Sequence, residues 1–565
     1  MYEIKGGTMD RNAYETILGL TDDAVPYILA ARQKDPRMRD YGGQIAPEKG
    51  FAEPGSSGSA AAALVAVYFC SDSRWYKNES VLDAAITSLT FLNDKCHGDG
   101  SIDLLETNFF DCTSNAFTVQ AVAYAYRLFA RYGEVSAEKT AADLARDFLK
   151  HSARAMLTGG FHTPNHRWVV ASALALCHRC LGDRGCLDRA LEYLSEGVDV
   201  DSEGDYTERS VGIYDAIVNE SLTIIADELN MPELYAAVEA NLTKNIYYTE
   251  PDMTGVTLAS RRQDCGAEPQ MVRHYYSYHK AAVRTGDGRF AWMANRLLTQ
   301  MKNLRVGAGA PRAVGSSLHH NGLLARFMLE PPGQLPDETP APLSYDRFFA
   351  GAGVVRHRDG DWTCSLLRGN SVFLKFQNGG LKVYAKLACT FFAHGRMLAD
   401  EIIKTDEGYR LVCEREWGYV KPLPDIREPD WNKIDHAARG RANMQRHRWQ
   451  VDVAFNGAGL TMRIMTEGTP GIPVKTEFIL PPGGLLRTGS TTAPALPGGW
   501  VIAGRLVEYE HGGERIRIGG GANEHVYAPD MRNSDPRLAD RFCLYFTCFT
   551  PVDQIITIEA LDRVS

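Results

Sequence analysis

Ten consecutive residues, Gly159-Gly160-Phe161-His162-Thr163-Pro164-Asn165-His166-Arg167-Trp168, gather two imidazoles, a carboxamide, a guanidinium and an indole. Thr163 followed by Pro164 predicts an N-cap and a first helical position, with the helix continuing into the apolar run from Val169 to Leu176. Asn165 and His166 then fall in the first turn, where free N–H groups and the positive end of the helix dipole favour an anion. The decapeptide reads as a binding site for something acidic. The plainer alternative is a capped helix with a solvated histidine.

Bulk properties narrow the partners. The 565 residues are 44% hydrophobic and 23% charged, a globular composition, and exceed one ordinary domain. A net charge of −9 and the lack of a basic tract argue against a general nucleic-acid binder, while leaving room for a local basic pocket that takes an acidic sugar. No apolar run reaches the length of a membrane span. No signal peptide is read between Met1 and Arg11, so a cytoplasmic protein with free thiols is expected. Cys177-His178-Arg179-Cys180 has CxxC spacing, but without a second pair no zinc site is predicted, and no cofactor is expected. Oligomeric state is not fixed by anything in the sequence.

Such a loop needs elements to hold it. Helical spacing begins with Tyr14, Ile17, Leu18, Val25, Ile28 and Leu29, and helical runs are predicted near 57–70, 79–93, 115–131, 139–150, 166–181, 186–196, 211–229, 231–243, 268–285, 290–302 and 315–329. The helices come in pairs. Each pair opens on a Gly-rich or polar-aromatic loop: Glu53 to Ser57, Asn108 to Asp111, Gly159 to Trp168, Glu203 to Tyr206, Arg261 to Asp264, and Gly307 to Gly309. These loops recur every 44 to 58 residues, about one helical hairpin, without sequence similarity between units. That spacing predicts a helical array or a toroid. Closure would pair 11–31 with 315–329 and collect the loops at one end.

A proline-rich linker at 331–345 follows. Beyond it come short alternating segments separated by Gly, Asp and Pro turns, among them Trp362 to Leu367, Val372 to Phe376 and Trp449 to Phe455. Many short strands with no interleaved helix predict an antiparallel β-sandwich. The expected fold class is α+β and multidomain: an N-terminal (α/α) incomplete toroid at 1–335, then a C-terminal antiparallel β-sandwich at 345–565.

The segment Glu203-Gly204-Asp205-Tyr206-Thr207-Glu208-Arg209-Ser210-Val211-Gly212-Ile213-Tyr214 resembles the signature of the heparinase II/III-type polysaccharide lyases, in which an acidic-Gly turn and a glutamate precede a catalytic tyrosine. It lies about 50 residues after Asn165-His166, similar to the family's spacing between its Asn or His neutraliser and its tyrosine. The toroid-then-sandwich layout is also that family's. The resemblance implies a lyase that cleaves a uronate-containing oligo- or polysaccharide by β-elimination. Removing the C5 hydrogen beside a carboxylate places a second negative charge next to the first, so donors at a helix N-terminus must stabilise it. A tyrosine can both take the C5 proton and protonate the departing O4, provided a nearby cation lowers its pKa from about 10.

On this resemblance Tyr214 moves the protons and Asn165 or His166 grips the carboxylate. The family usually adds a histidine from a His-rich strand of the β-domain. This sequence departs from that pattern: the nearest residue is His394, in Phe391-Phe392-Ala393-His394-Gly395-Arg396, with no His-x-His. His162, His274 or Tyr214 alone could fill the role. Arg261 and Arg262 offer guanidinium forks for a carboxylate. Arg167, Tyr206, Glu208, Asn108, Asp111 and Asn115 are candidate sugar contacts, and Trp168 a stacking surface. Each has a plainer reading in packing, capping or turn shape, as has His319-His320 on the closing helix. Three other functions share these features. A uronyl C5-epimerase abstracts the same proton. A glycoside hydrolase needs two carboxylates, for which Asp111, Asp205 and Glu208 are available. A non-catalytic glycan-binding protein needs only the aromatic loops.

Overall fold

The computed structural model describes residues 9–306, 322–424, 427–489, 491–501 and 506–563. They form two compact units. One holds the chain to Thr249 and Met253–Ala341; the other holds Glu250–Asp252 and the chain from Pro342.

The first unit is helical: α1 (Arg11–Ala31), α2 (Pro54–Phe69), α3 (Glu79–Asp94), α4 (Cys112–Tyr132), α5 (Ser136–Thr158), α6 (Pro164–Leu181), α7 (Arg184–Leu194), α8 (Tyr214–Leu229), α9 (Tyr235–Tyr248), α10 (Tyr275–Thr285) and α11 (Gly288–Val306), with a further helical stretch at 322–329. Composition sorts them into two rings. α2 is buried all round, from Ala60 through Phe69, as an inner helix must be. α5 buries Ala141, Ala145, Phe148, Leu149 and Ser152 on one stripe and exposes Lys139, Asp143 and Lys150 on the other, as an outer helix does. The inner helices α2, α4, α6, α8 and α10 pack in succession. Gly58 lets α2 approach α4 closely: a Cβ there would stand 2.5 Å from Thr118 Cγ2.

Three inner helices run parallel and in step. Gln120, eight residues into α4, donates to Ser172 Oγ (2.8 Å), eight into α6, and to Ser221 Oγ (3.1 Å), seven into α8. Further along, Arg127 of α4 meets Glu228 of α8 at 2.6 Å. Equal depths mean that the N-termini of α4, α6 and α8 share one end of the ring, so the loops before them converge. The start of the unit is tied to its end. The Asp10 N–H donates to the Pro332 carbonyl (2.9 Å), His279 Nε2 lies 3.3 Å from Asp10 Oδ2, and α1 packs on α11. Of the proposed closing helix only 322–329 is described; Gly307 to Gly309 and His319-His320 lie outside the described residues.

Asn108 to Asp111, expected as a loop, is a strand. It pairs with Ile102–Leu104 as a short antiparallel hairpin, and Asp111 then caps α4 through the N–H groups of Thr113 and Ser114.

The second unit packs two sheets face to face. Nine described strands run in the order Thr491–Pro494, Leu485–Thr488, Leu506–His511, Glu514–Gly520, Asp553–Leu561, Gly459–Gly468, Arg441–Asn456, Gly408–Val420 and Glu401–Lys404. Eight more run Gly498–Val501, Phe542–Phe549, Pro473–Leu480, Leu381–Cys389, Val372–Asn378, Trp362–Leu367, Val354–Asp359 and Ser344–Phe349. Pairing is antiparallel except between Gly498–Val501 and Phe542–Phe549. Alternation decides which face is apolar: His447, Trp449, Val451 and Val453 of one strand point inward, where Cys364, Phe376 and Val383 of the facing sheet join the same core. Glu250 is wholly buried in this unit, accepting from Arg356 Nη2 (2.9 Å), Lys375 Nζ (3.0 Å) and Thr363 Oγ1 (2.7 Å). Burial opposes its charge, but Arg356 and Lys375 hold its carboxyl well below the usual range. The architecture is thus an (α/α) incomplete toroid followed in sequence by an antiparallel β-sandwich.

Candidate active site

Tyr214 is the first residue of α8, half-buried at the shared mouth of the inner helices. Its N–H donates to Ser210 Oγ at 3.1 Å. The same hydroxyl donates to Asp264 Oδ2 (2.7 Å), whose other oxygen accepts from Ser260 Oγ (2.5 Å), and Ser260 Oγ in turn accepts from the Arg262 N–H (3.1 Å). Asp264 therefore staples the loop before Tyr214 to the loop of Arg261 to Asp264. That second loop bears directly on the tyrosine: the Arg262 guanidinium stands 5.0 Å over the ring, and the Gln263 side-chain amide donates to the phenol oxygen. Arg209, within the first loop, takes a left-handed backbone (φ +53°), the kind of strain that concentrates at functional sites.

Asn165 and Glu208 meet behind this pair. Asn165 is fully buried, and its amide donates to Glu208 Oε1 (3.0 Å) and Oε2 (2.8 Å). Arg262 Nε lies 3.3 Å from Glu208 Oε1. Burial raises the Glu208 carboxyl above its ordinary value, against the pull of Asn165 and Arg262. His166 lies beside them, edge-on to His162 (4.8 Å) and Phe117 (5.9 Å), its Nδ1 buried without a partner. Burial, with the neighbouring His162 and Arg262, lowers its pKa to about 4, so it is a neutral imidazole at pH 7.

Below the mouth, Lys244 of α9 is completely buried between Asp205 (2.5 Å) and Asp215 (2.9 Å). Burial works against its charge, yet the two carboxylates hold its value above that of an ordinary lysine. Asn241 donates to Asp215 Oδ2 (3.0 Å), and Asn219 donates to Asn241. Asp215 follows Tyr214 directly, so this buried network fixes the first turn that carries the tyrosine.

The structure brings Tyr214, Asn165, His166, His162, Glu208 and Arg262 together, and engages several other expected contacts in buried hydrogen bonds or ion pairs. Trp168 is fully buried and donates to Asp199 (2.9 Å), so it offers no face to a sugar. Arg167 lies over that indole and is paired with Glu196 (2.8 Å) and Asp199 (3.0 Å). The Tyr206 hydroxyl is buried on Asn219 (2.8 Å). His274 is wholly buried with Nε2 on the Val211 carbonyl (2.6 Å). Asn115 is wholly buried between Ile102, Gly100 and Ser152. Asn108 remains half-exposed, 3.5 Å from Asp111 Oδ2. His394 belongs to the β unit, edge-on to Trp417 at 4.7 Å. Thr163 occupies the N-cap position of α6, but its hydroxyl accepts from Asn165 instead of capping (3.3 Å). Among the described residues no group of three His, Cys, Asp or Glu side chains is arranged to hold a metal ion, and no helix is long and apolar enough to cross a membrane.

No protein-family model and no curated protein matches the sequence. Solved structures do. A chondroitin AC lyase of Streptomyces coelicolor A3, in complex with chondroitin sulphate, is 12% identical, with 99% of this chain and 80% of that one covered at a TM-score of 0.54. Heparinase III is 12% identical over 100% of this chain and 87% of its own, at 0.56. A Paenibacillus xanthan lyase is 10% identical over 98% of this chain and 58% of its own, at 0.57. The chain has the fold of the toroid-plus-sandwich polysaccharide lyases. Gln263 beside Tyr214, Lys244 beneath it, and Arg273, in the turn Met271–His274 that bonds the Val211 carbonyl through His274, escaped the sequence reading. Gln263 belongs to the same polar loop as Arg262. Lys244 lies on an ordinary helical pattern and Arg273 in a short turn, and neither carries a local signal.

Proposed function

We propose that this protein is a lyase acting on a uronate-containing oligo- or polysaccharide, with Tyr214 moving both protons. The carrying observation is the surround of that tyrosine, with Arg262 over its ring and Gln263 donating to its oxygen. As phenolate, Tyr214 takes the C5 proton; the electron pair forms the C4–C5 double bond through an enolate-like intermediate; the C4–O4 bond breaks, and the phenol returns the proton to O4. The α6 mouth, with its neutral His166, stands ready to stabilise the charge on the carboxylate, and Arg262 supports the tyrosine. Asn165 supports them indirectly, because its amide is directed at Glu208.

Hydrolysis is disfavoured. It needs two available carboxylates across the bond, whereas Asp205 is paired with Lys244, Glu208 is held by Asn165 and Arg262, and Asp111 caps α4.

A panel of uronate glycans tests the reading through the ultraviolet absorbance of the conjugated unsaturated product. New absorbance supports it, and reducing sugar without absorbance sinks it. Solvent deuterium entering C5 without cleavage would mean an epimerase. Tyr214→Phe should abolish turnover and leave binding largely intact. His394→Ala decides between one base and two: unchanged turnover leaves both transfers with Tyr214.

A further inference from the structure

An anionic ligand needs a cation that is not already neutralised, and most arginines at this mouth are. Arg262 is paired with Glu208, Arg167 with Glu196 and Asp199, and Arg209 lies 4.0 Å from Asp205. Arg326, on the helical stretch at 322–329, is paired with Glu220 of α8 (2.6 Å) and stacked over Tyr124 and Tyr276. Arg273 differs. It is half-buried, in the turn Met271–His274 that opens α10, and has no hydrogen bond or ion pair among the described residues. Its neighbourhood is fixed. The adjacent His274 holds the Val211 carbonyl at 2.6 Å, and a Cβ on Gly212 would overlap the ring of Pro269, so the segment before α10 is pressed against the loop that ends in Tyr214. The guanidinium is close enough to feel the charges of Tyr214 and Glu220, while burial pushes its value below the ordinary one. A half-buried guanidinium beside the tyrosine, with no ion pair of its own and its nearest carboxylate, Glu220, already paired with Arg326, is costly unless something negative binds it.

We propose that Arg273 is the ligand-binding cation of the site, taking a carboxylate of the acidic sugar in a forked, charge-assisted pair. This rests on the reading of the site as a uronate lyase. Arg262, already paired with Glu208, is left to the tyrosine. Arg273 thereby sets the preference for an acidic over a neutral glycan.

The test uses the full-length protein and uronate tetrasaccharides, once as the free acids and once as their methyl esters. In Arg273→Gln, KM for the free acid should rise about tenfold or more, with kcat changed far less; Arg273→Lys should recover part of the loss. The methyl ester should be handled equally poorly by wild type and variant. An unchanged KM, or a loss confined to kcat, overturns the proposal while leaving the lyase reading in place. If wild type forms no unsaturated product from any uronate glycan, that reading fails. Calorimetric binding of the same free acids to Tyr214→Phe and to Tyr214→Phe/Arg273→Gln then decides the proposal. It stands if affinity drops about tenfold, and falls if the two proteins bind alike or not at all.

Discussion

The Arg262 guanidinium lies 5.0 Å from the centre of the Tyr214 ring while its Nε reaches the Glu208 carboxylate at 3.3 Å. One side chain therefore links the aromatic group proposed to move protons to the buried acid that holds Asn165. Its guanidinium is planar, and its loop is pinned by Asp264.

Arg262→Gln should lower kcat about 100-fold, the scale of removing one preorganised charge from a developing anion. Arg262→Lys should recover little, because an ammonium can neither stack as a plane nor reproduce the fork. Thermal stability should fall only modestly, because buried Glu208 loses one partner but keeps both hydrogen bonds from Asn165. Initial rates of unsaturated-product formation and a melting curve check this together. A large fall in Tm with intact kcat would show that the arginine serves the fold instead.

Much of the fold was legible and much less of the site. Hairpin-length recurrence of helices and the switch to alternating strands after the proline-rich linker are patterns of period, which a sequence carries openly. The mouth of the helices was legible as a place, because Thr163-Pro164 and Ser210 to Tyr214 mark two chain entries into helices. Individual roles were not. Trp168, Asn115, Tyr206 and His274 are the right residue types for a sugar site, yet each makes a buried hydrogen bond. Residue type does not reveal which side of a helix faces the lumen when the helix is apolar all round, as α6 is. The strand Asn108–Asp111 escaped because four residues are too few to show a period. Glu250–Asp252 belong to the β unit through side-chain pairs more than 100 residues away, such as Glu250 with Arg356, which no local pattern encodes.

His447 should make the protein acid-sensitive. It is buried between Phe391 (5.4 Å) and Trp449 (5.0 Å), both ring nitrogens lack partners, and burial lowers its pKa to about 4. The unfolded chain takes up a proton near pH 6.5, which the folded chain resists until about pH 4. Stability from this group is therefore intact above pH 6.5 and falls as pH drops from 6.5 to 4, by about 3 kcal/mol at most. His166, also lowered to about 4, adds to the same slope. His447→Leu should flatten that slope with no loss at neutral pH, as leucine suits the apolar surround. Denaturant titrations of both proteins across pH 4 to 7 check it; parallel curves would show that His447 does not titrate as a buried neutral ring.

Lys244 is the side chain on which the tyrosine's footing depends. Lys244→Met removes the cation that bridges Asp205 and Asp215 and leaves two carboxylates buried together, with Arg209 4.0 Å from Asp205, a change that costs about 3–5 kcal/mol. The loss should fall on activity as well, because Asp215 follows Tyr214 and Asp205 lies in the turn that precedes it. Adding Asp205→Asn and Asp215→Asn to Lys244→Met removes the stranded charges and should restore a large part of the stability. Activity should recover less, since amides do not reproduce the paired charges that fix the first turn of α8. Denaturant unfolding and kcat of the single and triple variants decide the matter. If the triple variant is no more stable than the single one, the penalty lies in packing of the methionine and not in unpaired charge. If the single variant keeps wild-type kcat, the network holds the fold without positioning Tyr214.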